Sequence, residues 1–327
     1  MVEHAVNLKQ GVRSCVFSGG GSKIAYAQGF LYSPGFCDQL RKCDVVGGVS
    51  AGAMYAMCLS CCWDNLNIVR KMNLNMLPHW GNLAGVLVDS LLHKYVFSHE
   101  KTKQYLLQHL PACKRVLQKD LTVGLCDISN TSYKELLFRA GTHIQQRLPG
   151  GGSVLDYAVS SGAIYGIFQA WSDDTCKYID GGYAHNVPRD TILKSSADSL
   201  IVSICPLDIR NPLGGTHNGF WKFITSGNAQ FYYYLYMDTG QSRGHLIKHT
   251  KNGMEYETDH GYLIGPTYQP RLDITLSYCK NTLCDLRTKG TTFAKEVFDM
   301  EPTASMGSTA SMGSTSPAAF TDTCAVM

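Results

Sequence analysis

The sequence predicts an α/β fold of three layers, in which a central, mostly parallel β-sheet has helices on both faces. Three observations predict this fold. Short apolar runs typical of buried strands alternate with longer runs of helix-forming residues. Two of the strands run directly into glycine-rich turns that lead into helices. Apolar residues make up 44% of the 327 residues, which is enough for a sizeable core.

The first half of the chain is predicted to hold four strands and several helices. In order, these are a strand Val12–Phe17, a helix Lys23–Leu40, a strand Asp44–Gly48, a helix Ala53–Trp63, two or three helices in residues 64–110, and strands Leu121–Ile128 and Tyr133–Arg139. Ser98 is a typical N-cap for the last of these helices, and Pro111 is expected to end it.

Three further elements are predicted before residue 206. They are a helix Ser153–Gly162, a strand end at Lys177–Ile179, and a buried strand Ser199–Cys205. Strands that alternate with helices in this way indicate a largely parallel sheet, because parallel neighbours need a long crossover connection.

The chain is expected to divide into a folded domain, residues 1–300, and a flexible tail, residues 301–327. The tail repeats TASMGS at Thr303–Ser308 and Thr309–Ser314, a composition that cannot build a core. It ends in Cys324-Ala325-Val326-Met327, which fits the C-a-a-X pattern of farnesylation. Cys324 is therefore a predicted lipidation site, and a farnesyltransferase is a predicted partner.

The net charge is small and positive. The chain has 29 basic and 26 acidic side chains, a formal charge of +3. The tail holds two acids and no base, so residues 1–300 carry +5. This bias is compatible with an anionic lipid surface and far too weak for a nucleic-acid-binding protein.

The cysteines favour a reducing compartment. Thirteen are scattered along the chain, and the first ten residues lack the apolar run of a signal peptide, so cytoplasmic free thiols are expected. Cys58, Cys61 and Cys62 are expected to be buried thiols on a helix, because no matching metal ligands follow at short spacing. No apolar stretch approaches 18 residues, so peripheral membrane association is the expected contact with lipid.

The first motif with chemical meaning is Gly48-x-Ser50-x-Gly52, which lies between a predicted strand and a predicted helix. Small residues two positions either side of the serine let the backbone turn sharply. The turn exposes the hydroxyl at the positive N-terminal end of the helix. This context predicts Ser50 as a nucleophile.

The second motif is Gly19-Gly20-Gly21-Ser22-Lys23, at the end of the first strand. Three successive glycines can direct their N–H groups into one concavity, as an oxyanion hole requires. A nucleotide phosphate loop is the weaker interpretation. The dinucleotide pattern needs a glycine where Ile24 stands, and the P-loop ending Gly-Lys-Ser/Thr is absent.

The third motif is Asp180-Gly181-Gly182, followed by Asn186-x-Pro188. A serine nucleophile needs a base within hydrogen-bond distance to accept its proton. An aspartate of ordinary pKa, about 3.9, is a poor base at neutral pH. Asp180 can serve only if its surroundings are apolar enough to raise its pKa.

In this order and at this spacing, GGGSK, GVSAG and DGG resemble the patatin-like phospholipases, and catalytic domains of cytosolic phospholipases A have a related layout. The resemblance covers residues 11–205, and Leu272–Phe298 resembles the closing segment of the family. It implies a lipid acyl-ester hydrolase of the phospholipase A or lysophospholipase type. Lipid and a membrane surface are the implied partners, and no cofactor or metal is implied.

The resemblance also implies roles for individual residues. Gly19, Gly20 and Gly21 would form the oxyanion hole, and Ser50 would attack the ester carbonyl. Asp180 would complete a catalytic dyad that has no histidine, and the reaction would pass through an acyl-enzyme intermediate. Lys23, Gly48, Gly52, Gly181 and Gly182 would support these motifs. Residues 158–163 resemble a block that packs beside the active site. Two positions depart from the family: Ile24 replaces a usual glycine, and Tyr165 replaces a usual proline.

Two other functions remain open from the sequence. An α/β-hydrolase with a Ser-Asp-His triad would draw on His245, His249 or His260, but Ser50 has room for only two strands before it, fewer than that fold needs. His245 and His249 would share a face if helical. A catalytically inactive lipid-binding protein is the second alternative. The aromatic segments Phe220–Phe223 and Phe231–Met237 would suit a membrane interface or the packing of a helix on the core.

Overall fold

A ten-stranded mixed β-sheet organises the molecule. The computed structural model describes residues 9–72, 98–130, 132–164, 168–205, 245–267 and 280–299. In these ranges the strands are β1 (Val12–Phe17), β2 (Val45–Val49), β3 (Asp120–Asp127), β4 (Ser132–Phe138), β5 (Trp171–Ser172), β6 (Lys177–Asp180), β7 (Asp198–Val202), β8 (His245–His249), β9 (Met254–Thr258) and β10 (Gly261–Gly265).

Helices connect and cover these strands. Among the described residues they are α1 (Ile24–Phe30), α2 (Pro34–Arg41), α3 (Ala51–Cys61), α4 (Leu66–Lys71), α5 (His99–His109), α6 (Val154–Ser160), α7 (Arg189–Leu193) and α8 (Lys280–Ala294). Short 3-10 turns lie at Gly21–Lys23, Ala112–Lys114 and Gly181–Tyr183, and a π-helical turn, Lys295–Asp299, follows α8. In these parts of the chain, no helix is both long and apolar enough to cross a membrane.

The centre of the sheet is parallel and its flanks are antiparallel. The order along the main path is β5-β6-β3-β2-β1-β7-β10-β9-β8, and β4 pairs with β3. Strands β3, β2, β1, β7 and β10 are parallel neighbours. Strand β4 pairs antiparallel with one edge of β3, and β6 pairs antiparallel with the last residues of β3 on the opposite edge and with β5. Strands β9 and β8 continue the sheet beyond β10 as antiparallel strands. The predicted mostly parallel central sheet is confirmed.

Both faces of the sheet are covered by apolar side chains. Successive residues of a strand point to opposite faces. Accordingly, Phe17 belongs to the large cluster beneath α1, α2 and α3, while its neighbour Val16 packs with Val187 and Ile192 at α7. The same alternation separates Val202 from Ile201 in β7. The three-layer arrangement follows from this pattern.

The helix predicted at Lys23–Leu40 is wrong as a single element, because it is two helices, α1 and α2. Pro34 has no N–H to continue the helical hydrogen bonds, so the chain restarts there. Ser33 caps the new helix, and its hydroxyl accepts the Phe36 N–H at 3.0 Å. A serine followed by a proline is a typical N-cap and first residue of a helix, but the apolar residues on either side of Ser33-Pro34 favoured one continuous helix in the sequence analysis.

The other elements predicted with bounds in the described residues form within three residues of those bounds, and the largest difference is at β7, which ends at Val202 rather than Cys205. Ser98 is the N-cap of α5 and Pro111 follows its C-cap. Strands β8, β9 and β10 were not predicted, and His245 and His249 lie on β8 rather than on a helix. Tyr165, the two aromatic segments, the tail and Cys324 lie outside the described residues.

Candidate active site

Ser50 occupies a sharp turn between β2 and α3, as the Gly-x-Ser-x-Gly pattern predicts. It is the N-cap of α3 and has φ 57° and ψ −130°, the one positive φ of a non-glycine residue in the described ranges. Gly48 and Gly52 lie so close that a Cβ on Gly48 would overlap the carbonyl group of Gly52. A Cβ on Gly52 would lie 2.5 Å from the carbonyl oxygen of Phe17. The turn therefore needs glycine at both positions.

Asp180 ends β6 and holds the Ser50 hydroxyl. The Ser50 Oγ donates to Asp180 Oδ2 at 2.7 Å, and the Gly182 N–H donates to Asp180 Oδ1 at 2.8 Å. Asp180 is fully buried, and Ser50 is 6% exposed. Burial raises the pKa of Asp180 to about 7, against the smaller lowering effects of the two hydrogen bonds. This is the direction that a base at neutral pH requires.

Strand register brings the two residues together. Strand β4 occupies one edge of β3 from Leu121 to Asp127, so β2 and β6 must share the other edge. The last residue of β2, Val49, pairs with Gly124, and Asp180 pairs with the next residue, Leu125. Strands β2 and β6 approach this point from opposite directions, so Ser50 and Asp180 meet end to end.

The glycine block lies directly against this pair. A Cβ on Gly19 would lie 2.8 Å from the Cβ of Ser50. The Gly19 N–H donates to the Asn186 carbonyl oxygen at 3.0 Å, and Asn186 Nδ2 donates to the Gly19 carbonyl oxygen at 3.2 Å. Gly21 has φ 59° and opens the 3-10 turn that leads into α1. Gly19 is thus fixed by Asn186, while the chain turns at Gly20 and Gly21.

Two supporting residues were not assigned roles from the sequence. Asn186 is 2% exposed and joins the glycine block to the loop after Asp180. Ser161 is fully buried, and its Oγ accepts the Ser50 N–H at 2.8 Å. Asn186 stood in the noted Asp-Gly-Gly-x3-Asn-x-Pro pattern, but no local pattern marks Ser161 as a partner of Ser50.

Lys23 and the cysteine cluster are buried. Lys23 is 1% exposed, and its Nζ has no hydrogen-bond partner among the described residues. Cys58, Cys61 and Cys62 are buried free thiols at or next to α3, and burial raises the pKa of each. The prediction of buried thiols is confirmed for all three.

The candidate histidines lie far from Ser50. Strand β8, which carries His245 and His249, is five strands away from β2, or about 24 Å at ~4.8 Å per strand. His260 accepts the Ser199 N–H through its carbonyl oxygen at the amino end of β7, whereas Ser50 follows the carboxyl end of the parallel β2. The described carboxylate contacts of Asp180 are with Ser50 and Gly182.

This geometry and the fold define a class of α/β proteins, in which a serine at a strand-to-helix turn is paired with a buried carboxylate. Within that class the chain belongs to the patatin-like phospholipase family, whose sequence model matches residues 15–193. This membership supports lipid acyl hydrolase activity. No curated protein matched the chain in sequence.

Comparison with solved structures found similar chains of low identity. VipD from Legionella pneumophila has 14% identity and a TM-score of 0.45, with 89% of this chain and 69% of VipD covered. The type III effector ExoU has 12% identity and a TM-score of 0.37, with 89% of this chain and 53% of ExoU covered. Human GIVD cytosolic phospholipase A2, in complex with methyl gamma-linolenyl fluorophosphonate, has 10% identity and a TM-score of 0.40. The match covers 88% of this chain and 56% of the phospholipase. The chain thus spans only about half of the latter two proteins.

Proposed function

We propose that this protein hydrolyses acyl esters of lipids through a Ser50–Asp180 dyad, as a phospholipase A or lysophospholipase. The observation that carries the proposal is the 2.7 Å hydrogen bond from Ser50 Oγ to a fully buried Asp180 whose pKa burial raises to about 7. Such a carboxylate is ionised in part at neutral pH and basic enough to accept a proton. Family membership supports the lipid acyl ester as substrate class.

In the proposed first step, Ser50 Oγ attacks the ester carbonyl carbon while its proton passes to Asp180 Oδ2. The tetrahedral intermediate collapses, the alcohol leaves with that proton, and an acyl group remains on Ser50. In the second step, water gives a proton to Asp180 and attacks the acyl carbon. The bond from that carbon to Ser50 Oγ then breaks, Ser50 takes the proton back from Asp180, and the fatty acid is released. No metal or cofactor takes part in either step.

The oxyanion is proposed to bind at the N–H groups of Gly20 and Gly21. The Gly19 N–H is less suited than the sequence implied, because it already donates to the Asn186 carbonyl oxygen. The helix α3 begins directly after Ser50, so its N-terminal dipole adds positive potential at the same place. Preorganised donors of this kind contribute on the order of 10²- to 10³-fold each to kcat.

The two alternatives from the sequence have less support. A Ser-Asp-His triad would need a histidine beside Asp180, and the three candidates lie at distant strands or at the other end of the sheet. An inactive lipid-binding protein would not need a serine held in a strained turn against a carboxylate of raised pKa.

The test is hydrolysis by purified protein of p-nitrophenyl butyrate, and of vesicles of mixed phospholipid, lysophospholipid and triacylglycerol analysed by mass spectrometry. Ser50→Ala and Asp180→Asn should each abolish ester hydrolysis, and EDTA should not. Ser60→Ala is a matched control, because Ser60 is also buried on α3 and its hydroxyl donates to the Lys119 carbonyl oxygen. Activity in the Ser50→Ala variant equal to that of the control would refute the proposal.

Membrane association is the second part of the proposal. The domain is proposed to act at a lipid surface, with Cys324 farnesylated as an additional anchor. One lipid chain gives only marginal, reversible binding, so a second contribution is needed. The tail has no Lys or Arg, so this contribution is proposed to come from the +5 charge of residues 1–300 or from the aromatic segment Phe220–Met237.

A further inference from the structure

Ser161 lies at the junction between the two proposed catalytic residues. It follows the last residue of α6 and is fully buried. Its Oγ accepts the Ser50 N–H at 2.8 Å and donates to the Gly124 carbonyl oxygen at 2.6 Å. Gly124 is the residue of β3 opposite the last residue of β2. One hydroxyl therefore connects the backbone of the nucleophile turn to the central sheet.

The same short segment also holds the strand end that carries Asp180. The Asp180 N–H donates to the Ala163 carbonyl oxygen at 3.0 Å. The Gly181 N–H donates to the Ser161 carbonyl oxygen at 3.3 Å. Residues 161–163 are thus hydrogen-bonded to both partners, by a side chain on the Ser50 side and by backbone carbonyls on the Asp180 side.

The turn at Ser50 needs such a contact for two physical reasons. A non-glycine residue at φ 57° and ψ −130° is strained by about 1–3 kcal/mol and persists only where surrounding contacts hold it. As the N-cap of α3, Ser50 also has an N–H that the helix cannot pair with a carbonyl oxygen. This buried donor finds its acceptor in the Ser161 hydroxyl.

We infer that Ser161 is a positioning residue, which sets the backbone of Ser50 at the angle that aims its hydroxyl at Asp180. The inference rests on the proposed function. It adds a residue that touches neither substrate nor reacting atoms, and that acts through the Ser50 N–H. Removal of its hydroxyl leaves that N–H unpaired and lets the turn rotate, so fewer molecules hold the Ser50–Asp180 hydrogen bond.

The chain offers a matched control in the preceding residue. Ser160 is equally buried, and its hydroxyl donates to the Asp156 carbonyl oxygen at 2.7 Å within α6 rather than to the Ser50 turn. Ser161→Ala and Ser160→Ala each remove one buried hydroxyl one residue apart. A merely structural role predicts similar effects for both, whereas positioning predicts a loss of rate for Ser161→Ala alone.

The experiment measures kcat and KM for p-nitrophenyl butyrate, and the rate of phosphonylation by a fluorophosphonate, in the full chain and both variants. We expect Ser161→Ala to lower kcat and the phosphonylation rate about tenfold or more with little change in KM, and Ser160→Ala to keep wild-type values. A wild-type kcat in Ser161→Ala, or an equal loss in Ser160→Ala, would overturn the inference.

Two further variants, Ser161→Cys and Ser50→Ala, distinguish failure of the inference from failure of folding or of the proposed function. If Ser161→Ala does not fold, Ser161→Cys takes its place, because a thiol is a weaker donor and acceptor that keeps the site filled, although it is somewhat larger than a hydroxyl. It should lower kcat in the same direction, and a wild-type kcat would count against positioning. Ser50→Ala is measured alongside. If that variant keeps turnover, the proposed function fails, whereas an inactive Ser50→Ala with a fully active Ser161→Ala refutes only the inference.

Discussion

At the scale of single residues, Asp180 shows two opposing effects on one carboxyl group. Complete burial disfavours its charged form, while hydrogen bonds from Ser50 and Gly182 favour that form. Burial outweighs both, and the pKa rises to about 7. A carboxylate with more donors would be too weak a base, and one with none would stay protonated at neutral pH.

The pH dependence of hydrolysis follows from this pKa. The base form of Asp180 is the ionised form, so kcat/KM should rise about tenfold per pH unit below about pH 7 and level off above it. The measurement is p-nitrophenyl butyrate hydrolysis from pH 5 to 8.5, with the Ser50→Ala rate subtracted at each pH. A flat profile across this range would show that Asp180 is not the base.

Stability should show the opposite trend with pH. The pKa of Asp180 is higher in the folded protein than in the unfolded chain. The contribution of this carboxyl group to the free energy of unfolding is therefore complete below about pH 4 and is lost as the pH rises to about 7. The rise in the pKa of Asp180 from 3.8 to about 7 corresponds to about 4 kcal/mol at most in the free energy of unfolding. In urea unfolding, Asp180→Asn should therefore gain stability relative to wild type more at pH 8 than at pH 4.5. An equal difference at both pH values would contradict the raised pKa.

The sequence predicted Ser50 and Asp180 as the candidate pair because each lies in a short local pattern. It did not reveal the roles of Ser161 and Asn186. Their contacts with Ser50 and Gly19 join segments that are more than 100 residues apart, and depend on how the strands pair. The sequence also did not reveal that the Gly19 N–H is already hydrogen-bonded, because its acceptor is the backbone oxygen of Asn186, which is distant in the chain.

At the scale of elements, the turn from β2 to α3 depends on close backbone approach. Gly48→Ala would force a Cβ into the carbonyl group of Gly52, and we expect a loss of about 3 kcal/mol or more in the free energy of unfolding. Gly47→Ala is the matched control, one residue earlier in β2, where the nearest atom to a Cβ is the Thr122 carbonyl oxygen at 3.1 Å.

The Gly47→Ala variant should lose clearly less stability than Gly48→Ala, about 1 kcal/mol, because the atoms nearest its Cβ lie at 3.1–3.3 Å and need to move by only a few tenths of an ångström. Urea unfolding of both variants, followed by circular dichroism, measures the difference. Equal stabilities would mean that the turn does not have the tight packing described for it.

Element prediction succeeded where a pattern was local and failed where it was not. Strands β1, β2, β3 and β7 are buried apolar runs, and their bounds were predicted to within about three residues. The apolar run across α1 and α2 concealed the break at Ser33-Pro34. Strands β8 and β9 are short and partly exposed, and β8 carries histidines and a lysine, so no apolar alternation marked them.

At the scale of the whole molecule, residues 1–300 are proposed to catalyse hydrolysis, and Cys324, the fourth residue from the end of the tail, is proposed to add a membrane anchor. If the tail is flexible, as its composition predicts, its first ~23 residues would span about 25–30 Å on average, enough for the domain to turn towards a bilayer. When the 327-residue chain is expressed in eukaryotic cells, Cys324→Ser should shift it to the soluble fraction and lower hydrolysis of membrane lipid. Hydrolysis of p-nitrophenyl butyrate should not change.

Cys113→Ser provides the control for that experiment, because Cys113 is an exposed free thiol outside the tail. This variant should fractionate like the wild type. Mass spectrometry of the wild-type chain should find a farnesyl group on Cys324 and loss of the last three residues. An unmodified C-terminus at Met327 would remove the basis for the anchor while leaving the catalytic proposal intact.

Ser50, activated by Asp180, is the proposed nucleophile, and covalent labelling can locate the reactive serine. The protein is treated with a fluorophosphonate, and the modified residue is located by peptide mass spectrometry in wild type and Asp180→Asn. We expect a single adduct at Ser50 in the wild type and labelling at least 100-fold slower in Asp180→Asn, which corresponds to about 3 kcal/mol in the activation barrier. An adduct on another serine, or undiminished labelling of Ser50 in Asp180→Asn, would contradict it.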